Sequence, residues 1–251
     1  MLSRPLLILV PWGLLVLLWY AIAFSGLVNP SLIPMPHAVA EKFWSLAVDG
    51  NLLRDVRVST QRVLMGVVLG TMAAVPVGFA LGWYPDVRRF IDPLINFFRA
   101  LPPIALIPLV IVYFGIGEAA KVVILFYASF FAGVIVMYEG IAQLSPIYVR
   151  VSRTLGATDA EIFRKVILPL SVPHMLTALR VALGVAWATL VASELIAAQQ
   201  GLGAMIQNAS SFFQLDIIYV GIICIGLIAL TMDLGLRFVA RRLVAWQDRI
   251  A

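Results

Sequence analysis

Charged residues are scarce in this sequence, and their scarcity excludes most soluble globular proteins. Of 251 residues, 12% are charged and 62% are hydrophobic, whereas soluble domains carry about 25% charged and about 45–50% apolar residues. The chain is therefore predicted to cross a membrane several times. Its net charge of +5 does not indicate a nucleic-acid partner, because the lysines and arginines cluster between apolar runs, as membrane topology requires.

Cysteine and histidine are almost absent. Cys224 is the sole cysteine, so no disulfide can form within the chain. His37 and His174 are far apart and have no neighbouring ligand pattern, so no metal site is predicted. The sequence has no Gly-x-x-x-x-Gly-Lys-Ser/Thr phosphate loop, which excludes an ATPase. It also has no paired intramembrane carboxylates and no Ser-His-Asp pattern, which argues against a membrane enzyme.

Long apolar runs dominate the chain instead. A membrane helix needs about 20 mostly apolar residues, so we predict an all-α, polytopic fold with about six transmembrane helices in a single membrane domain, residues 1–251. The predicted spans are residues 6–27, 62–83, 103–114, 122–138, 175–197 and 217–239. The first is interpreted as an uncleaved span, because the apolar region of a signal peptide is shorter, about 7–15 residues. In the third, Pro103 and Pro108 predict a helix that is kinked or begins late.

Positive charge is unequal on the two sides that these spans define. With a cytoplasmic N-terminus, the cytoplasmic side holds twelve lysines and arginines and the other side holds five. Those five are Lys42, Arg54, Arg57, Arg62 and Lys121. Because cytoplasmic loops are enriched in positive residues, both termini are predicted to be cytoplasmic. A short amphipathic helix over residues 37–48 is predicted at the outer boundary.

Glycines recur every fourth residue in the second predicted span. They form two Gly-x-x-x-Gly pairs, Gly66 with Gly70 and Gly78 with Gly82. This spacing lets helix backbones approach closely. We predict that they pack against another helix of the same chain, and a contact between two chains is the alternative.

One polar stretch, residues 150–169, lies between the fourth and fifth predicted spans, and we call it the polar segment. Gly156 permits a tight turn with positive φ. Thr158 or Asp159 is predicted to cap a helix that follows the turn, and Pro169 is predicted to end that helix. The polar segment is thus predicted to be a helix-turn-helix that a soluble partner contacts. A simple amphipathic helix at the membrane surface is the alternative.

The glycine-to-proline spacing carries a family resemblance. Gly156, nine intervening residues and the run 166–169 (Val-Ile-Leu-Pro) resemble the coupling-loop motif of permease subunits of ATP-binding cassette importers. The chain has Arg-Val-Ser at 150–152, where the family often has Glu-Ala-Ala. Other stretches resemble the nitrate, sulfonate and taurine branch: residues 32–36, 99–103, 114–118, 179–187, 192–198 and 201–203. Residues 189–198 are most similar to taurine permeases.

The resemblance implies a type I importer permease in the cell inner membrane, with a cytoplasmic coupling helix between spans four and five. Its implied partners are a second, identical permease copy, two cytoplasmic ATPase subunits, an extracytoplasmic binding protein and membrane lipid. The ATPases would bind ATP and magnesium, so no cofactor is expected in this chain. The implied substrate is taurine or a related aliphatic sulfonate. Nitrate or another small organic anion is the alternative. An ion-coupled secondary transporter is the alternative of another class, although no clear internal repeat supports it.

The resemblance also implies which residues contact the ATPase. The expected contact residues are Arg153, Thr154, Leu155, Gly156, Ala157, Thr158, Asp159, Glu161, Phe163 and Arg164. Small residues would permit close approach and Phe163 would anchor in a pocket.

A second candidate site lies in the fifth predicted span. Its candidate pathway or gate residues are Glu194, Ser193, Thr189 and Trp187. An intramembrane carboxylate is costly, about 2.5–3.5 kcal/mol on insertion scales, so it faces a cavity or a partner. Glu194 is predicted to attract the ammonium group of taurine or to gate the outer mouth, with a structural ion pair as the alternative. Arg180 is predicted to extend toward the inner surface, and Asp233 to pair with Arg237 one turn later.

Overall fold

The computed structural model describes residues 4–25 and 32–244, and its regular structure in these residues is helical. Eleven α-helices and one π-helical turn follow one another: α1 Arg4–Phe24, α2 Pro36–Val48, α3 Asn51–Trp83, α4 Pro85–Ala100, α5 Pro103–Phe114, α6 Glu118–Ala142, α7 Pro146–Thr154, α8 Asp159–Ile162, the π turn Phe163–Ile167, α9 Leu168–Ala197, α10 Leu202–Ser211 and α11 Leu215–Leu243. The all-α prediction is confirmed, as is the short helix α2.

Four stretches among the described residues are long and apolar enough to cross a membrane. They are α3, α6, α11 and the continuous helix Asp159–Ile196 that contains α8, the π turn and most of α9. The third predicted span is not a complete crossing, because α5 has 12 residues and rises only about 18 Å against a hydrocarbon core of about 30 Å. Instead α5 joins α4 at a bend of 92°, and this pair forms a broken fifth span or a re-entrant loop. The first predicted span corresponds to α1, whose residues Val10–Phe24 are apolar. The last two residues of that predicted span, 26 and 27, lie outside the described part of the chain.

Two helices were not anticipated from the sequence. Helix α4 is strongly amphipathic and begins with Pro85 in its first turn. The predicted spans instead leave residues 84–102 as a connection between the second and third spans. Helix α10 follows Gly201, whose φ of 121° lies in the region that favours glycine. Helix α3 also begins at Asn51, eleven residues before the predicted span. This extension brings several polar residues of α3 into the helix bundle.

Close packing of α3, α6 and α9 forms the centre of the bundle. The core cluster shared by these helices includes Val63, Val67, Leu125, Ala182 and Leu190, all buried. All four glycines of α3 that the spacing singled out face α6. A Cβ added at Gly66 would lie 2.3 Å from Leu125 Cβ, and one at Gly78 would lie 2.4 Å from Met137 Cβ. The prediction that these glycines pack within the chain is confirmed.

Gly66→Leu is expected to destabilise the chain strongly, because the new side chain would overlap Leu125 Cβ and force α3 away from α6. Overpacking a close-packed core typically costs about 1–3 kcal/mol. Gly226→Leu is the matched control, since Gly226 lies on α11 with nothing within 4 Å of an added Cβ. The measurement is thermal unfolding of the purified protein in detergent. Equal melting temperatures for the two variants would contradict the packing.

The bundle has two ends with different contents. Helices α3 and α6 finish and α9 begins at one end, where Phe79, Met137 and Ile141 pack against Ile162 and Ile167 of the polar segment. We call this the loop end. The opposite end contains the start of α3, the start of α6 and the finish of α9. Each end carries one candidate site.

Candidate functional site

The polar segment is a preformed helix-turn-helix at the loop end. Helix α7 ends in a Schellman motif: Gly156 N–H donates to Arg153 O at 3.0 Å, and Ala157 N–H donates to Ser152 O at 3.0 Å. Gly156 occupies the left-handed position of this motif, with φ of 80°. A side chain there would be strained although nothing lies within 4 Å of its Cβ. The positive φ expected at Gly156 is confirmed.

A capping box starts the next helix immediately after the turn. Thr158 Oγ1 accepts from Glu161 N–H at 3.3 Å, and Glu161 Oε2 accepts from Thr158 N–H at 3.1 Å. Thr158 is therefore the N-cap residue, as one of the two predicted possibilities had it. An exposed ion pair joins the two helices, Arg153 Nη2 to Asp159 Oδ1 at 3.1 Å. Main-chain hydrogen bonds and caps thus fix the turn without a partner.

The helix that follows the turn does not end at Pro169, and that expectation is wrong. The π turn Phe163–Ile167 leads directly into α9, which continues through Pro173 to Ala197. Pro169 lies in the first turn of α9, where a missing N–H is tolerated, and a π turn locally replaces the usual hydrogen-bond pattern. The polar segment therefore continues into a membrane helix without an intervening loop.

Burial divides the polar segment into an inner and an outer face. Ile162 and Ile167 are each 1% exposed and pack into the bundle. Phe163 rests edge-on against Phe79 at 5.6 Å between ring centroids, yet 43% of its surface is exposed. Leu155 is 81% exposed beside Gly156. The outer face thus presents apolar side chains around the glycine turn.

The other expected contact residues lie on the same segment. Arg153, Thr154, Thr158, Asp159 and Arg164 are exposed, while Ala157 and Glu161 are half-buried. Glu161 additionally accepts from Lys165 Nζ at 3.1 Å. The structure thus brings all ten expected contact residues together at one end of the molecule.

An ion network with a buried centre occupies the opposite end of the bundle. Glu194, 1% exposed, pairs with Arg62 Nη1 at 2.6 Å. Its carboxylate also accepts from Ser59 Oγ at 2.8 Å and from Gly203 N–H at 2.8 Å. A buried carboxylate needs a paired cation and satisfied lone pairs, and Glu194 has both. Its geometry therefore favours the structural ion pair over a substrate contact.

Arg62 links this carboxylate to α6. Its Nε and Nη2 donate to both carboxylate oxygens of Glu118 at 2.6 and 2.5 Å, a bidentate geometry. Lys121 Nζ, also buried, contacts Glu118 at 2.9 Å. We define this network as Arg62, Glu118, Lys121 and Glu194, two cations with two carboxylates. Glu118 is its exposed member, with 60% of its side chain exposed, and the other three are buried. Arg62 is not among the predicted site residues, because the sequence pattern places it at the outer edge of the second predicted span.

The same network fixes the turn between α9 and α10. Arg62 Nη1 donates to Gln200 O at 2.7 Å, and Asp55, buried on α3, accepts from Gly201 N–H at 3.0 Å. Ser59 Oγ accepts from Leu202 N–H at 2.9 Å. A Cβ at Gly201 would lie 2.4 Å from Glu194 Oε1. The first residues of α3 thus hold the turn between α9 and α10 in one conformation.

The other residues proposed for a pathway are differently placed. Thr189 and Ser193 are buried, and their hydroxyls donate to main-chain oxygens of α9, those of Val185 and Leu190. Trp187 is 4% exposed and its indole Nε1 has no hydrogen-bond partner among the described residues.

Two arginines share one aspartate toward the loop end. The predicted pair of Asp233 with Arg237 is confirmed, at 2.8 Å. Arg180 does not simply extend toward the surface as expected, because it also pairs with Asp233. The shared carboxylate links α9 to α11.

The fold is that of a helical membrane protein, and the polar segment forms a helix-turn-helix at its loop end. The model of the family described as "binding-protein-dependent transport system inner membrane component" matches residues 66–245, and the chain belongs to this family. That match contains the polar segment and most of the core.

Relatives extend the similarity over nearly the whole chain. A probable ABC transporter permease protein of Brucella abortus (strain 2308) is 45% identical over 231 residues, 92% of this chain and 91% of the relative. The taurine transport system permease protein of Escherichia coli (strain K12) is 37% identical over 243 residues, 95% and 88% of the two chains. The putative aliphatic sulfonates transport permease protein of the same strain is 32% identical over 247 residues, 97% and 94% of the two chains.

A solved structure supports the fold independently. A chain in an inward-facing crystal structure of the MetNI methionine ABC transporter superposes with a TM-score of 0.69. The alignment covers 79% of this chain and 98% of that chain, at 19% sequence identity. The protein therefore has the ABC importer permease fold and is a multi-pass inner-membrane protein. It works with ATPase subunits and a binding protein, and ATP hydrolysis is the activity of the separate ATPase subunit.

Proposed function

We propose that this chain translocates taurine or a related aliphatic sulfonate into the cytoplasm by alternating access. The observation that carries this substrate class is the similarity along nearly the whole chain to a permease named for taurine transport, together with the relative named for aliphatic sulfonates. The ion-coupled secondary transporter has no comparable support. The working assembly in this proposal is two identical copies of this chain with two ATPase subunits that bind ATP and magnesium.

In this mechanism the polar segment is the coupling element. Three features support the role: the turn at Gly156 is preformed, Leu155 and Phe163 are exposed beside it, and the π turn joins the segment to α9. An ATPase that moves the segment would therefore move a membrane helix. A flexible loop would dissipate the same displacement.

The proposed orientation places both termini and the polar segment in the cytoplasm. Two of the five lysines and arginines counted on the outer side, Arg62 and Lys121, are buried within α3 and α6 and therefore do not lie in a loop. The other three on that side are Lys42, Arg54 and Arg57. The twelve lysines and arginines counted on the cytoplasmic side remain in excess, which supports this orientation.

The candidate pathway residues have different roles in this proposal. Glu194 and Ser193 stabilise the helix bundle, because their polar atoms are hydrogen-bonded within the chain. Thr189 is likewise hydrogen-bonded within α9. Trp187, with its unpaired indole N–H, is the remaining candidate for contact with a bound molecule.

Uptake by cells that lack their own sulfonate and nitrate systems tests the substrate. The chain is expressed with its cognate ATPase and binding protein, and labelled taurine, an alkanesulfonate and nitrate are compared. We expect uptake of taurine or the alkanesulfonate at least about tenfold above that of nitrate, a difference of about 1.4 kcal/mol in recognition. A chain paired with a hydrolysis-deficient ATPase is the control. Uptake of nitrate alone would replace the proposed substrate, and uptake without ATP hydrolysis would overturn the importer mechanism.

A further inference from the structure

An open groove runs between α9 and α11 and begins at the loop end of the bundle. Its lower part, nearer the loop end, has a volume of about 260 Å³. Arg180, Arg237 and Arg241 line this part together with apolar side chains such as Leu176 and Leu236. Its upper part, about 480 Å³, shares Thr177 and Arg180 with the lower part. The two parts therefore form one continuous groove along the two helices.

The lower part of the groove carries excess positive charge. Three arginines line it, and Asp233 is the carboxylate that pairs with two of them, Arg180 and Arg237. Within the part of the chain that the structure describes, no carboxylate pairs with Arg241. Three positive charges against one negative charge leave a net charge of +2. An anion would complete this charge balance.

The upper part of the groove is apolar. Val181, Leu183, Ala229 and Leu230 line it, together with the ring of Trp187. The neighbouring surface of α11 is also exposed and apolar, with Leu227 51% and Leu234 53% exposed. The groove therefore borders a surface suited to lipid, with a cationic end and an apolar end.

We propose that this groove binds an anionic phospholipid, with the phosphate among Arg180, Arg237 and Arg241 and an acyl chain along the apolar upper part. Basic pockets between membrane helices suit anionic headgroups, and arginine forms strong charge-assisted hydrogen bonds to phosphate. The leaflet rests on the proposed orientation, which makes it the cytoplasmic one. The bound lipid bridges α9, the helix joined to the polar segment, to α11.

Two adjacent arginines of α11 provide a matched test. Arg241 lines the groove, whereas the guanidinium of Arg242 lies over the Phe238 ring at 5.1 Å from its centroid. Arg241→Gln and Arg242→Gln remove the same charge from neighbouring positions. The assembled transporter is purified in a neutral detergent and titrated with phosphatidylglycerol or phosphatidylcholine, and bound lipid is counted by native mass spectrometry.

We expect Arg241→Gln to raise the phosphatidylglycerol concentration for half-occupancy at least about tenfold, because it removes a charge-assisted hydrogen bond to the phosphate. Arg242→Gln should change it by less than about twofold, and phosphatidylcholine should bind more weakly to the unmodified chain. Equal loss in both variants would overturn the proposal in favour of diffuse surface attraction. Unchanged binding in both variants would also overturn it.

A third outcome separates lipid from transported anion. If Arg241→Gln leaves lipid binding unchanged but lowers sulfonate uptake, the groove binds the substrate and the lipid assignment is wrong. Lipid occupancy is measured on purified protein without transport, so a failed substrate assignment leaves this test intact.

Discussion

Arg62→Met is expected to lower the yield of folded protein more than Gly66→Leu does. The change leaves Glu194, 1% exposed, without its cation in the interior. It also releases Glu118 and the main-chain oxygen of Gln200. Removing one partner of a buried ion pair costs about 3–5 kcal/mol. The measurement is the yield and thermal unfolding of monodisperse protein extracted from membranes.

A neighbouring arginine on the same helix is the control. Arg57 lies five residues earlier on α3 and is exposed, so Arg57→Met should change stability by less than about 0.5 kcal/mol. A similar loss from both arginines would mean that positive charge near this end, rather than the network, sustains the fold.

A double substitution separates the pair from its surroundings. Arg62→Met with Glu194→Met removes both members of one buried ion pair and leaves Glu118 paired with Lys121. Replacing a whole buried pair by apolar residues is often near neutral. We expect the double variant to be more stable than Arg62→Met alone, with an interaction energy above about 1 kcal/mol. Additive losses would indicate that Glu194 does not depend on Arg62.

The same cycle bears on the role of Glu194 in transport. From the sequence, Glu194 is predicted to attract the ammonium group of taurine or to gate the outer mouth, whereas the network geometry favours a structural role. A stable double variant that still imports substrate would assign Glu194 to the fold. A stable double variant without uptake would return Glu194 to the pathway.

Gly156→Leu is expected to abolish coupled transport while the protein remains in the membrane. Nothing in this chain lies within 4 Å of the new Cβ, but φ is 80° and the outer face of the turn is exposed. The substitution costs about 1–2 kcal/mol of local strain and projects a bulky side chain at the proposed ATPase contact. We expect uptake to fall more than about tenfold, with membrane levels within about twofold of the unmodified chain.

Gly50 offers an unusually close control for this prediction. Its φ is 76° and nothing lies within 4 Å of an added Cβ, so Gly50→Leu imposes similar strain at the opposite end. Substrate-stimulated ATP hydrolysis and uptake are measured for both variants. Equal inhibition by both would assign the effect to strain alone, and normal uptake with Gly156→Leu would remove the polar segment from the coupling role.

The positions of the apolar helices and of the glycine turn could be predicted, because each depends on residues that are close together in the sequence. The apolar runs specify α6 and α11, and Gly156 with Thr158 specifies the turn and the cap. Helix α4 was not predictable from hydropathy, since its charges read as a loop although they occupy one face of an amphipathic helix. The prediction that Pro169 ends a helix was wrong, because Pro169 lies in the first turn of α9 and the π turn before it replaces the usual hydrogen-bond pattern.

Length, apolarity and capping act within a few residues of one another, so local sequence is enough to predict membrane-crossing helices with one polar turn between them. The role of the charged residues follows instead from how the helices pack in three dimensions. Arg62, Glu118 and Glu194 are widely separated in the sequence, and their charges neutralise one another only when α3, α6 and α9 meet. An ion pair depends on distance in space, so no pattern along the chain distinguishes a buried structural carboxylate from one that awaits a substrate.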